Sequence, residues 1–516
     1  MANKRKSIRI ALVTVAIMVA LFFVLKPYVY KTLLGVSIKN QETINRLVAG
    51  KTEIETMPEL LQINGEEMPF DVAENRCFIS QNMNEKKWEG IITATQGRIY
   101  FANDELINNK LDAISSNKEF DLYWISDDSY FKTKVVFTGM PVMTLTAWCE
   151  AGENRWGGAM QLYNPSQKGL EYQAGTCNFG DRGNIARRYE KKSYKLTLSD
   201  EKMSLCGLRK DDDWTLNGLY DDVGLVRNKM AYDLWNEISA TNNVDGDNTV
   251  ESAFVELIVN GDYRGVYLLC DRIDQKKIGL GEGDHLYKQR RWVFNVDDID
   301  EAYSVKYEGG DSEEDVKASM LKIMDIAYNY DTVDITYESF ADKLYMENAI
   351  DYYLYCQMLS AGDNLFRNSY FAEKRDENGN LKFMEIPWDV NATFGIAHRM
   401  TYFSDRIEAL DTDSYVGAAL SYYDNEAFSS LAKKRWAELR KSAFSKENMN
   451  EMANECIAYT VKTGAFERNL ERWPQYIVID SDRGPREFTD LWNEDDLYTY
   501  IDKRVDFLDK IYSIEE

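Results

Sequence analysis

Apolar and polar residues change their rhythm along the chain, from short alternating runs in the first part to helical spacing in the last. Leu60-Leu61-Gln62-Ile63-Asn64-Gly65, Trp88, Ile91–Thr95, Ile99–Phe101 and Val135-Val136-Phe137 read as strands, because apolar side chains recur with a period near two between turn residues. Residues 58–150 are therefore expected to form a β-rich accessory region. From 180 to 280 strands mix with one helix: Tyr189–Leu198 alternates, Leu225–Ile238 has the helical period, and Ala253–Val259 pairs with Gly265–Cys270 about the Asn260-Gly261 turn. Residues 296–335, with Asp297-Asp298 and Gly309-Gly310-Asp311, read as a loop-rich insertion. Beyond 337 helices dominate: Met346, Ile350, Leu354 and Met358 recur four apart on one face, and 426–445, 447–470 and 494–513 are amphipathic.

The N-terminus has a different pattern. Ile10–Leu25 is a run of 16 uncharged residues, preceded by Lys4, Arg5, Lys6 and Arg9 and followed by Lys26. Extended through Tyr28–Tyr30 it meets the roughly 20 helical residues that a bilayer requires. The basic flank is expected to stay cytoplasmic. No small-x-small site directly follows the run, which favours an uncleaved anchor over a cleaved signal peptide. Residues 1–31 are thus expected to be a basic tip and a single transmembrane helix and 32–57 a polar stalk. The chain would then be a single-pass cell-membrane protein with its remainder extracytoplasmic.

Charge narrows the partners. The 516 residues carry a net charge of −25, although the first 31 hold six basic residues and no acidic ones. Such a field repels nucleic acid, which is excluded as a partner, and attracts cationic protein segments. Seven cysteines without a C-x-x-C pair and only two histidines make a zinc site unexpected.

The helix at 346–359 ends at Ser360-Ala361-Gly362, and a loop from Asp363 to Asn368 leads into a strand, Ser369–Glu373. The turn Asp376-Glu377-Asn378-Gly379-Asn380 returns the chain as Leu381–Ile386. A turn centred on Asn378 sets residues whose numbers sum to about 756 opposite one another, so Asn368 falls beside Pro387-Trp388-Asp389. Asp363, Asn368 and Asp389 then converge. Phosphoryl transfer needs such a set, because hard oxygen ligands hold a divalent cation on the phosphates while another carboxylate orients the attacking hydroxyl. The D-x-x-x-x-N interval from Asp363 to Asn368 is that of a protein-kinase catalytic loop, and Asp389 stands where a metal-binding Asp follows the next hairpin.

A basic residue on an upstream strand is needed to meet the phosphates. Tyr194, Leu196 and Leu198 share a face with Lys192, while Lys195 lies on the other, and the pattern does not choose between the two lysines. Gly180-Asp181-Arg182-Gly183-Asn184, just before that strand, can turn backbone N–H groups towards phosphate, yet it is no G-x-G-x-x-G loop.

Several stretches together resemble the spore-coat protein CotH kinase family: Phe137-Thr138-Gly139-Met140-Pro141, Arg182-Gly183-Asn184, Lys191–Lys195, Lys210–Trp214, Tyr220–Asp233, Val255–Leu269, Gly362-Asp363-Asn364 with Asn368, and Ile386-Pro387-Trp388-Asp389 with Gly395. The resemblance implies an α+β, two-lobed atypical protein-kinase-like fold, with an N-lobe at 151–290 and an insertion and mostly helical C-lobe at 291–516. It also implies ATP with Mg²⁺ or Mn²⁺ as cofactors and transfer of the γ-phosphate to Ser/Thr of surface or spore-coat-type proteins, basic Ser-rich ones among them. Carried over by position, Asp363 is the catalytic residue and Asn368 and Asp389 are metal ligands. Lys192 contacts the nucleotide, with Lys195 and Arg182 beside it, and Arg227 and Asn228 order the cleft. The sequence departs from the family at Asn391, where a second Asp is frequent, and at Cys270-Asp271, where Thr-Glu is frequent. A catalytically inactive scaffold or adhesin of the same fold is the alternative.

Overall fold

The computed structural model describes residues 32–513 except 59–60, 103–108, 184–185, 243, 245, 292–298, 398–400, 403–406, 411–414, 478–484 and 488–492. The chain divides into two compact units between Gly139 and Met140. In the first unit, an eight-stranded sheet runs in the order Thr32–Leu33, Val36–Lys39, Arg98–Ala102, Glu119–Ile125, Ser129–Thr138, Arg76–Ser80 and Phe70–Asp71, with Thr52–Glu53 beside Ser129–Thr138. The stretch expected to be a stalk is built into this sheet: Val36–Lys39 pairs in parallel with Arg98–Ala102. The helix Gln41–Val48 buries Ile44 against Tyr123 and Ile125.

No helix among the described residues is long and apolar enough to cross a membrane. The 18-residue helix Glu494–Ile511, for instance, carries acidic residues in its first turn and acidic and basic ones from Asp502 to Lys510. The expected transmembrane helix, and the single-pass cell-membrane location that rested on it, are corrected on this finding; the run Ile10–Leu25 lies outside the described residues.

The second unit corrects the expected fold class as well. In place of the two-lobed atypical kinase-like fold with an anchor, it is an α+β structure built around a closed seven-stranded barrel. Val142–Gly152, Arg155–Tyr163, Tyr172–Arg182, Ser193–Leu198, Asp213–Asn217, Asp262–Cys270 and Ser252–Val259 pair in that order, and the last returns to the first in parallel. Alternate side chains fill the interior, among them Leu145, Leu162, Phe179, Leu196, Trp214, Leu257 and Leu269. Closure joins strands far apart in the chain, which a local period cannot reveal. One corner is legible locally: Val259 faces Asp262 across the Asn260-Gly261 turn, with φ of 52° and 73°, as a two-residue type I′ turn requires.

After the barrel comes a four-stranded sheet in the order Tyr303–Tyr307, His285–Gln289, Ser369–Arg375 and Leu381–Pro387. The helix Met346–Leu359 packs on it, burying Ile350, Leu354 and Met358 as their spacing foretells. The loop-rich reading of 296–335 is corrected by the helix Glu313–Tyr328. Ser312 caps it by accepting from Asp315 N at 3.2 Å, and Val316, Met320, Ile323, Met324 and Ala327 are buried at helical spacing. Asn425–Leu439, Lys446–Lys462, Ala465–Arg472 and Glu494–Ile511 complete the helical part.

A buried polar knot fixes the Glu313–Tyr328 helix to the sheet. His285 Nδ1 lies 2.8 Å from Glu373 and its Nε2 lies 3.0 Å from Asp311. Tyr287 OH and Ser319 Oγ also donate to Glu373. Burial alone would lower the His285 pKa, but the hydrogen bonds to the two carboxylates outweigh it and hold the imidazole above its ordinary 6.5. A raised folded-state pKa contributes stability that is complete below the unfolded value and is lost as pH climbs through the folded one. His285→Gln is therefore expected to lower the melting temperature more at about pH 6 than at about pH 9. Thermal unfolding across this range checks it; an equal loss at both values would remove the charged imidazole from the account.

Candidate active site

The hairpin register is the foundation of the site. Ser369 faces Pro387, Tyr370 faces Ile386 and Phe371 faces Glu385, so one step further Asn368 meets Trp388, whose N–H donates to the Asn368 carbonyl at 2.9 Å. Asn368 and Asp389 flank this contact, and both have a φ of 58°. Left-handed backbone costs an ordinary residue about 1–2 kcal/mol, and Asn and Asp are the side chains that tolerate it best. Asp389 N donates to Tyr232 OH at 3.0 Å, which ties the turn to the helix Arg227–Ser239. Gly362–Phe366 is a short helix where a loop is expected, and Arg367 donates to Asp363 Oδ2 at 2.9 Å.

Asp363, Asn368 and Asp389, distant in the chain, line one cleft of about 410 Å³. Arg182, Asn217, Asp221, Asn228, Lys288, Arg290, Lys306 and Asn391 line it too. Of the upstream residues singled out from the sequence, the structure brings Arg182 and Asn228 to the cleft and leaves three away from it. Lys192 Nζ donates to the Arg187 carbonyl, and Lys195 is exposed and pairs with Asp213 at 3.4 Å. Arg227 is buried 3.9 Å from Asp222. The lysine that enters the cleft is Lys288, on the strand His285–Gln289, with its ammonium 5.0 Å from the Tyr370 ring centre and 5.3 Å from that of Trp388. Burial and the nearby Arg182 charge push its pKa down to about 8 against the opposing pull of Asp389.

Lys288 escapes a reading of the sequence because its strand is short and its outward face is decided by pairing with Tyr370 of another strand. Asp221 escapes it too, since an Asp-Asp pair before a helix looks like a cap. Asp222 does cap, accepting from Asn228 N at 2.9 Å, whereas Asp221 faces the cleft. There its Oδ2 accepts from Asn391 Nδ2 at 2.7 Å and Tyr189 OH at 3.3 Å. Burial, then the Asp389 charge, push the Asp221 carboxyl up to about 7.

Among the described residues no three carboxylate, histidine or cysteine groups come together as a metal cluster. A divalent cation here would be held by carboxylates together with amide and phosphate oxygens, the donor set that suits Mg²⁺ or Mn²⁺. Two observations fit a nucleotide and its cation. Asn228 is buried with its Oδ1 lacking a hydrogen-bond partner, and the Trp388 indole N–H lacks one as well. Lys288, Arg290, Lys306 and Arg182 face the cleft without a carboxylate within ion-pair distance among the described residues, in a strongly acidic chain. Arg182 instead donates to Asn217 Oδ1 and lies 5.7 Å over the Trp388 ring.

The family described as CotH kinase protein matches residues 181–508. The inner spore coat protein H of Bacillus subtilis (strain 168) is 26% identical over 234 residues, which cover 42% of this chain and 58% of that protein. The chain thus spans somewhat more than half the length of this curated relative. Because the family match takes in well over half of the chain and every cleft residue from Arg182 to Asn391, the chain belongs to the CotH kinase protein family.

Proposed function

We propose that the cleft binds ATP with Mg²⁺ or Mn²⁺ and that the protein transfers the γ-phosphate to Ser or Thr hydroxyls of spore-coat-type proteins. The observation that carries this reading is a single cleft in which Asp363, Asn368 and Asp389 meet Lys288 and Arg182. A bound divalent cation would offset phosphate charge as the transferred group moves. Asn368 and Asp389 supply oxygens for that cation, and Lys288 and Arg182 supply positive charge to the phosphates. Asp363, oriented by Arg367, leaves Oδ1 to take a hydrogen bond from the acceptor hydroxyl and hold its proton. Asn228 orders the wall between them.

The net charge of −25 favours cationic substrates. The likeness to a protein named as an inner spore coat protein supports coat-type acceptors. In this reading Lys288 has the part that the sequence pattern offered to Lys192 or Lys195.

The test is transfer of labelled γ-phosphate from ATP to a basic Ser-containing peptide, with Mg²⁺ or Mn²⁺. Asp363→Asn and Asp389→Asn are each expected to lower the rate about a hundredfold or more with the fold intact by circular dichroism. Full activity in both variants would sink the assignment, and nucleotide binding without any transfer by the parent protein would make it a nucleotide-binding scaffold. A separate measurement distinguishes the lysines. Lys288→Ala is expected to weaken binding of a fluorescent ATP analogue about tenfold, while Lys192→Ala and Lys195→Ala leave it within about twofold. The reverse ranking would return the phosphate contact to the Ser193–Leu198 strand.

A further inference from the structure

We infer that Asp221 is a second acidic ligand of the divalent cation, held in place by Asn391, a role that rests on the reading of the cleft as a metal–nucleotide site. Asp221 and Asp389 both line the cleft, and among the described residues neither has a basic side chain within ion-pair distance. Two carboxylates lining one cleft repel each other unless something positive joins them. The hydrogen bonds around Asp221 hold its carboxylate in one orientation. Asn391 Nδ2 and Tyr189 OH both donate to Oδ2, and the residue's own backbone N–H also bonds the carboxyl group, which together fix the carboxylate plane at the cleft.

A second observation points to a ligand in the same place. Asn228 is only 3% exposed, it lines this cleft, and its Oδ1 has no hydrogen-bond partner. A buried orphan acceptor lining the same cleft as two carboxylates is a cost that a hard cation removes, since such a cation collects carboxylate and amide oxygens together. Its backbone N–H is already committed to Asp222, so Asn228 is fixed in position at the start of the Arg227–Ser239 helix.

Asn391 acts here as a positioning residue. Its amide gives Asp221 an N–H to lean on, whereas a carboxylate at 391 would set a second like charge against Asp221 in place of that donor. The pair is therefore exchangeable in principle: an amide at 221 and a carboxylate at 391 keep the same hydrogen bond and move the charge across it.

That exchange is the experiment. Mn²⁺ binding to the full chain is followed by loss of the free-ion electron paramagnetic resonance signal, without nucleotide. Asp221→Asn keeps an oxygen for Asn391 to donate to, so the fold is preserved, and it is expected to weaken Mn²⁺ binding about tenfold or more. The double variant Asp221→Asn with Asn391→Asp is expected to recover binding to within about threefold of the parent. Unchanged Mn²⁺ affinity in Asp221→Asn, with affinity lost in Asp389→Asn, would overturn the role of Asp221 and leave the phosphotransfer reading standing. A parent chain that takes up no Mn²⁺ with or without ATP would overturn both.

Discussion

One buried amide holds the site together. Asn364 Nδ2 donates to the carbonyls of Asn368 at 2.8 Å and Trp388 at 2.9 Å, so a single side chain closes the open end of the hairpin. The backbone carbonyl of Asn364 accepts from Tyr352 OH at 2.7 Å, which fastens the short Gly362–Phe366 helix to the long helix beneath it. Without that amide two carbonyls would lose a buried donor, at about 1–3 kcal/mol for each unsatisfied group. The left-handed backbone of Asn368 and Asp389 persists because these bonds over-determine it.

The helix Arg227–Ser239 extends the same logic across the unit. Tyr232 OH accepts from Asp389 N, Asp222 holds the first turn through Asn228 N, and Tyr355 OH donates to the Ala231 carbonyl at 3.0 Å. On the other side of the barrel, Lys191 Nζ is buried against the Val266 carbonyl at 2.7 Å and Asn469 Oδ1 at 2.8 Å, and Arg468 grips Glu256 with two bonds of 2.8 Å. Burial holds Lys191 well below the usual lysine range, with Arg264 adding to the effect. These ties are costly unless all partners are present, so they specify one relation between barrel and helices rather than many.

Electrostatics then separates the cleft from the surface around it. A chain of net charge −25 gathers Arg182, Lys288, Arg290 and Lys306 at one concave site. Lys288 shows how strained that gathering is, since it is half-buried among other cations and is relieved chiefly by Asp389 and by two aromatic faces. An anion bearing several charges relieves such a set, and a metal–phosphate group has that character.

Local chemistry decided what could be read without coordinates. The Asp376–Asn380 turn sets a register, so Asn368 and Asp389 were predictable neighbours of Trp388, and the Asn260-Gly261 pair announces its hairpin because both residues accept positive φ. The face of the Met346–Leu359 helix followed from spacing alone. The closed barrel did not, because Val142–Gly152 pairs with a strand more than a hundred residues away, and no period records which edges will join. Nor was Lys288 legible: Lys192, Lys195 and Lys288 all sit in or beside alternating strands, and only the packing of Ser369–Arg375 against His285–Gln289 turns one of them to the cleft. The sequence by itself determined the hairpin, its register and the spacing of its oxygen-bearing side chains, because those depend on neighbours in the chain. Tertiary structure decided which lysine and which second carboxylate join them, because that depends on surfaces brought together only when the barrel closes.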